Sequence, residues 1–401
     1  HSRRDYGEAP PGPRPVWYGT RRTPHGTWRA RVTKRSEAVQ AITGRIAASA
    51  SAINETRQIP QDLIDSMTAQ GLFRLLVPAS VGGGEIDFLE YLTITQAIAA
   101  ADASAGWCFN QNNVLGTMAN LMPESLAQEI WSDPNAILSN GPPQHAAVTP
   151  VDGGYQLTGR WNFSSGSRHA TWVVAIARIE DAKTLSMLVP AADVTFIDTW
   201  QVNGLRGTGS FSFEVTDLFV PSGRSFIEGE LHREAGPLYL IPRSLAFAAG
   251  FASVALGVAR CGLDTAIEIA KGKTPQEQVL LRDQRATQRE VGQAEALWGS
   301  SHAYLIEKAT ALWQGACDND SLTIEERIGL RLASTHAIRK SADVVDMAYA
   351  ICGATSIFES SPIQRVFQDA HAITQQIQGR MEQYETAGQF LLGLEPQGRL
   401  F

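Results

Sequence analysis

The sequence predicts an α+β protein with a helical N-terminal domain, a central antiparallel β-barrel or sandwich and a C-terminal four-helix bundle. Three observations predict it. Ala-rich segments such as "AVQAITGRIAASASAI" and "EYLTITQAIAAADASAGW" carry apolar residues at i, i+3, i+4 and i+7. "GGYQLTGRWNF", "TWVVAIARI", "LSMLVP" and "FSFEVTDLFV" are short, β-branched or aromatic, and bounded by turn residues. Beyond Pro242 the helical period returns and persists to the end.

In chain order, residues 1–36 are rich in Arg, Pro and Gly with little periodicity, which predicts a disordered or non-native arm. Residues 37–134 form the first helical domain, interrupted by the Pro- and Gly-rich "LLVPASVGGGEID". Residues 135–238 form the β-domain and 239–401 the bundle, with helices near 243–271, 284–317, 323–352 and 361–392.

Composition narrows the function. A net charge of −7 and a pI near 5.7 argue against nucleic acid as the main partner. No apolar run reads as a membrane span and no leader pattern is visible, so a cytoplasmic protein is expected. Cys108, Cys261, Cys317 and Cys352 lack metal or redox spacing and read as small buried hydrophobes. The histidines are scattered, so no protein metal site is expected.

Two stretches in the β-region carry the chemistry. In "GGYQLTGRWNFSSG" (153–166), Tyr155, Leu157, Trp161 and Phe163 alternate around Gly159-Arg160, as in a half-buried hairpin, until Ser164-Ser165-Gly166 interrupts the pattern. There a backbone can approach a planar ligand, since Gly lacks a Cβ and Ser bonds in either sense. "GLRGTGS" (204–210) offers Thr208 and Ser210 beside Arg206, with its glycines also explicable by φ > 0 alone.

These stretches, followed by "VPSGR", "SSPIQRVFQDAHAITQQIQ" and "LLGLEP", resemble the acyl-CoA dehydrogenase superfamily from about residue 38 onward. Within it the pattern is most similar to the flavin-dependent monooxygenases, the oxygenase components of two-component hydroxylases. The resemblance implies reduced FMN or FAD from a separate NAD(P)H:flavin reductase, O2 as co-substrate and a flavin C4a-hydroperoxide that hydroxylates an aromatic or polyketide-like molecule. It also implies a homotetramer. No GxGxxG opens a βαβ unit, in keeping with flavin reduced elsewhere.

Carried onto this chain, the resemblance places Trp161, Phe163, Ser164 and Ser165 beside the flavin, with Ser165 as the N5 contact. Asn140, Arg206, Thr208 and Ser210 would wall the same site. Arg282 and Arg285 open a helix suited to phosphate, and Gly353 leaves room for a cofactor tail. Phe109, Asn112 and Met118 would line the substrate pocket.

The acid–base groups decide between chemistries. Dehydrogenation of an acyl thioester needs a carboxylate for the α-proton, and the positions implied for it hold Ile377 and about Ser244. The monooxygenases' histidines are replaced by Gln376 and by Asn112-Asn113. Gln376 and Asn113 are therefore expected as amides facing the peroxide or substrate, able to hydrogen-bond and unable to exchange a proton near neutrality. Two rivals remain: a flavoprotein oxidase or dehydrogenase of unusual substrate, and a non-catalytic homologue.

Overall fold

In the computed structural model, residues 25–179, 183–319 and 321–396 are described, with side chains from residue 35 onward. Two units divide between Ala38 and Val39. The first holds the start of helix α1 (His25–Thr56), so residues 25–36 of the expected disordered arm are helical, and residues 1–24 lie outside the described residues.

The second unit opens with the rest of α1, then α2 (Gln61–Ala69), α3 (Phe88–Ala101), α4 (Ala103–Gly116) and α5 (Glu124–Trp131). Asp87 caps α3 by accepting the Leu89 and Glu90 amides. Asp102 is extended, ends α3 and caps α4 through the Ala105 amide. One residue thus folds two helices onto each other, and Gly106 lets them touch, because a Cβ there would sit 2.6 Å from Ala99 Cα.

Among the described residues eight strands follow: β1 (Leu138–Asn140), β2 (Pro143–Val151), β3 (Gly154–Ser164), β4 (Trp172–Arg178), β5 (Thr184–Pro190), β6 (Thr195–Ile197), β7 (Phe211–Pro221) and β8 (Ser225–Ile227). They form two four-stranded sheets, ordered β1-β4-β5-β8 and β2-β3-β7-β6, antiparallel except that β1 runs parallel to β4. The domain is an open sandwich, which corrects the barrel alternative. Val174 and Leu188 pack against the helices while Val173, Met187 and Val189 face the other sheet. The first sheet is covered on both faces, which accounts for the nearly continuous apolar run in "TWVVAIA".

Gly159-Arg160 is not a turn: β3 runs straight through it, and the hairpin turn is Asp152-Gly153 between β2 and β3.

Beyond the sheets come α6 (Arg243–Gly272), α7 (Arg285–Asp318) and α8 (Ile324–Cys352), packed on one another close to the predicted boundaries. The expected fourth long helix is broken into α9 (Pro362–Thr374) and α10 (Glu382–Leu391) by a 3₁₀ turn at Ile377–Gly379. That turn is pinned by α8: Arg331 donates to Gln378 Oε1 and Thr335 Oγ1 to Gln378 O. α6 is long and apolar enough to cross a membrane by composition, against the sequence expectation, yet 83% of its apolar window is buried inside the protein. Cys108 and Cys352 are buried as expected, whereas Cys261 is partly exposed and Cys317 exposed.

Candidate functional site

The two serine-bearing motifs meet at one edge of the sandwich. Gly166 N donates to Thr208 O at 2.9 Å and Ser167 Oγ to Gly209 O at 2.6 Å, zipping the end of β3 to the 204–210 loop. Two glycines of that loop serve close packing, since a Cβ at Gly204 would collide with Gln368 O of α9 and one at Gly207 with Ile53 of α1, while Gly209 takes a positive φ of 51°. Arg206 donates to Asn54 O and Val202 O, so it clamps the loop.

Hydrogen positions at this edge follow from its ends. Trp107 Nε1 can only donate, and does so to Ser165 Oγ at 3.0 Å. Ser165 Oγ pairs with Ser210 Oγ at 2.8 Å and Ser210 Oγ with Thr208 Oγ1 at 2.6 Å, while Thr208 Oγ1 donates to the Leu205 carbonyl at 2.9 Å. Each hydroxyl therefore donates toward Leu205. Ser139 Oγ donates to Ser165 O at 2.8 Å, so Ser164 gives its hydrogen to Ser139 Oγ at 2.7 Å. The hydroxyl hydrogens of Ser164 and Ser165 are both committed within the protein, so Ser165 Oγ can meet a flavin N5 only as an acceptor.

The strand places its aromatics differently from the period-two reading. Trp161 is fully buried in the sandwich, stacked on Phe213 at 5.0 Å and bonded to Ile176 O, so it does not face the site. A bulge between Trp161 and Ser164 breaks the alternation. Phe163 there adopts φ of 58°, is 63% exposed, and stands edge-on to Trp200 at 6.1 Å. Asn140 closes the edge through Gln111 Nε2 at 2.7 Å.

Four expected pocket or catalytic residues are structural instead. Asn113 is fully buried, accepts from Leu75 N and donates to Leu72 O and Phe109 O. Asn112 donates to Leu138 O, which makes its Oδ1 the acceptor for His169 Nε2 at 3.2 Å. Phe109 stacks on Tyr91 in the helical core. Met118 packs among Val77, Leu115 and Trp131. Burial pushes His169 down to about 4, so it is neutral near pH 7.

Gln376 fares differently. Its Oε1 accepts from Gln378 N at 2.8 Å, which fixes the amide's orientation, and its buried Nε2 is left without a partner among the described residues. Arg331 also donates to Ser244 O, so the Gln376–Gln378 turn and the start of α6 share one end of that helix. Ser244 and Ile377, the two positions implied for a dehydrogenase base, thus come to the same place and neither is acidic. A planar group fits the sheet edge, which carries a re-aimed exposed aromatic at Phe163 and no bulky side chain at Ser139, Ser164 and Ser165, while Gln376 offers a fixed amide donor at the turn beside Ser244.

Arg282, Arg285 and Gly353 lie elsewhere. Lys273 gathers them at the C-terminal end of α6, accepting at its carbonyl from Leu281 N and donating from Nζ to Cys352 O at 2.6 Å. At about 1.5 Å per residue, that end is about 30 Å from Phe251, which packs on Trp107. These exposed residues are too far to wall the ring site of their own chain.

The sequence singled out neither Trp107 nor Gln111 as a site residue. The available signal was their i, i+4 spacing, which sets both on the α4 face toward β1 and the end of β3. Also missed was the Asp369 carboxylate. It is 5% exposed, accepts from Leu205 N and lies beside buried Asp102.

Comparison with known proteins identifies residues 33–128 with the N-terminal domain of acyl-CoA dehydrogenases and residues 249–379 with their C-terminal domain. The chain is 34% identical over 348 residues to an indole-3-acetate monooxygenase of Pseudomonas putida, covering 85% of this chain and 89% of that protein. It is 27% identical over 391 residues to the oxygenase component of an FADH2-dependent resorcinol hydroxylase of a Rhizobium species, covering 89% and 95%. Among solved structures, XiaF from a Streptomyces species, in complex with FADH2 and glycerol, superposes with a TM-score of 0.85 at 27% identity, over 93% of this chain and 100% of that one.

Proposed function

We propose, for a chain that belongs to the acyl-CoA dehydrogenase family and is the oxygenase component of a two-component flavin-dependent monooxygenase, that its substrate is an aromatic small molecule hydroxylated beside Trp107, Phe163 and Gln376. The observation that carries this reading is the meeting of Ser244 with the Ile377 turn. Where an α-proton acceptor would stand, the chain sets an unpartnered amide donor.

Bound reduced flavin supplies the two electrons with which one oxygen atom enters the substrate and the other leaves as water. The chain's own residues bind, orient and exclude water. Gln376 Nε2 donates a hydrogen bond to an acceptor atom of oxygen or substrate. Phe163 and Trp200 cover a planar ring, and the committed hydroxyls of Ser164 and Ser165 keep that edge rigid without offering a proton. Reduced FAD is favoured over FMN, since one relative is named FADH2-dependent and XiaF was solved with FADH2. A homotetramer is supported by the remote Arg282, Arg285 and Gly353, which suit a neighbouring copy's cofactor. Exposed Ile357, Phe358, Leu391 and Leu392 add apolar surface for that contact.

The test is turnover under isotopically labelled O2 with NADH, a flavin reductase and a panel containing indole-3-acetate, resorcinol and p-hydroxyphenylacetate. One labelled oxygen in an organic product is expected. Bleaching of bound oxidised flavin by a panel compound without reductase would replace this reading with the oxidase one.

A further inference from the structure

We propose that Trp200 is the positioning residue for the exposed ring of Phe163, and that the Arg57–Asp198 ion pair is the latch that holds Trp200 in place and slows release of the flavin. This rests on the placement of a planar ring beside Phe163 in the reading above and deepens it to the residues that keep that wall standing.

Among the described residues, six other than glycine have positive φ, and three of them, Arg57 at 57°, Phe163 at 58° and Leu205 at 52°, surround Trp200. Each meets it differently. Arg57 Nη1 donates to Trp200 O at 3.1 Å, Trp200 Nε1 donates to Leu205 O at 3.0 Å, and the Trp200 ring stands at 87° to that of Phe163. A left-handed backbone is unfavourable for bulky side chains and persists only where surrounding contacts over-determine it. Trp200 is the contact that these three residues share.

Trp200 lies in residues 198–203, which follow β6 and have no helix or strand of their own. That strap is held from outside. Asp198 accepts from both terminal nitrogens of Arg57, at 2.8 and 2.6 Å, and Thr199 Oγ1 pairs with Ser212 Oγ of β7 at 3.0 Å. One guanidinium at the end of α1 thus fixes the Asp198 carboxylate and the Trp200 carbonyl together, a fork that a lysine cannot reproduce. The Arg57 and Asp198 side chains are 23% and 39% exposed, so dissolved salt reaches the pair. A flavin reduced on a separate protein has to enter and leave in every cycle. A half-exposed ion pair can open for it without disturbing the buried core.

The test uses full-length protein labelled with 5-fluorotryptophan, with the Trp200 resonance assigned by its loss in Trp200→Phe. In flavin-free protein Asp198→Ala should shift and broaden that resonance, and Asp198→Glu should restore it. Asp62→Ala, which breaks the Arg45–Asp62 pair also made from α1, should leave it unmoved. Anaerobic release of reduced FAD, followed by the cytochrome c that the freed flavin reduces, should be about fivefold faster in Asp198→Ala and at least as fast in Trp200→Ala. Between about 0.05 M and about 1 M salt, wild-type release should quicken toward the Asp198→Ala rate, and the variant should respond less. An unmoved Trp200 resonance in Asp198→Ala overturns the latch. Release unchanged in Trp200→Ala overturns the positioning of Phe163. Neither readout depends on turnover, so failure of the oxygenase reading would appear separately, in the labelled-oxygen experiment.

Discussion

The Asp369 carboxylate accepts a 2.6 Å hydrogen bond from the backbone amide of Leu205. α9 is thereby tied to the loop whose carbonyl terminates the hydroxyl chain from Trp107. Burial, then repulsion from Asp102, raises Asp369 to about 7, against the Leu205 amide and the Arg365 guanidinium, which favour its charge. Asp102, raised to about 6 chiefly by burial, is opposed by the Ala105 amide, Arg365 and the Ser104 amide.

Both folded-state pKa values lie above the ordinary carboxylate value, so the native state binds more protons than the unfolded chain between about pH 4 and 7. Stability from these groups is greatest at the acid end of that window and is lost as pH rises through it. Asp369→Asn keeps an acceptor for Leu205 N and removes the charge. From pH 5 to pH 8 the wild-type Tm should fall by roughly 2–4 °C more than that of the variant, measured by differential scanning calorimetry. Parallel slopes would refute the buried pair as the cause.

Asn113→Ala should act on stability. It deletes hydrogen bonds to three buried backbone groups, at Leu75, Leu72 and Phe109. A loss of about 2–4 kcal/mol is expected in urea denaturation, with the flavin dissociation constant little changed. A stable variant with lost turnover would restore Asn113 to the catalytic group.

Gln376→Glu exchanges only one end of the side chain. An oxygen remains to accept from Gln378 N, and the Nε2 donor is replaced by a second acceptor. The melting temperature should fall modestly, because a carboxylate takes a buried amide's place, while the ratio of hydroxylated product to hydrogen peroxide falls about tenfold. An unchanged ratio would place Gln376 outside the reacting groups.

Gly204→Ala forces a Cβ into the Gln368 carbonyl, a backbone atom that cannot rotate away. A cost of about 2–4 kcal/mol is expected by chemical denaturation. Gly223→Ala, with open space around it, should stay within about 0.5 kcal/mol of wild type.

Particular residues show how far the sequence could be read. The three long helices were legible because "RSLAFAAGFASVALGVARCGLDTAIEIA" and its successors carry the helical period with turn residues at their ends. The break at 375–380 was not, since it is enforced by Arg331 and Thr335 reaching over from α8. The meeting of 164–167 with 204–210 was legible from their shared small residues and the family resemblance. The outward turn of Phe163 was not, because the bulge between Trp161 and Ser164 changes which face the residues after Trp161 take.

Sequence alone therefore determined the order of helical and strand segments, the two stretches that build the site edge and the absence of a carboxylate at Ser244 and Ile377. Those properties are local, written in periodicity, turn residues and residue identity. Tertiary structure alone decided which polar side chains remain available. α4 is buried on nearly every side, so Asn112 and Asn113 satisfy backbone groups, while Gln376 keeps a donor to spare. A hydrogen bond's direction depends on the partner at the far end of its chain, and that partner is fixed only when distant segments pack.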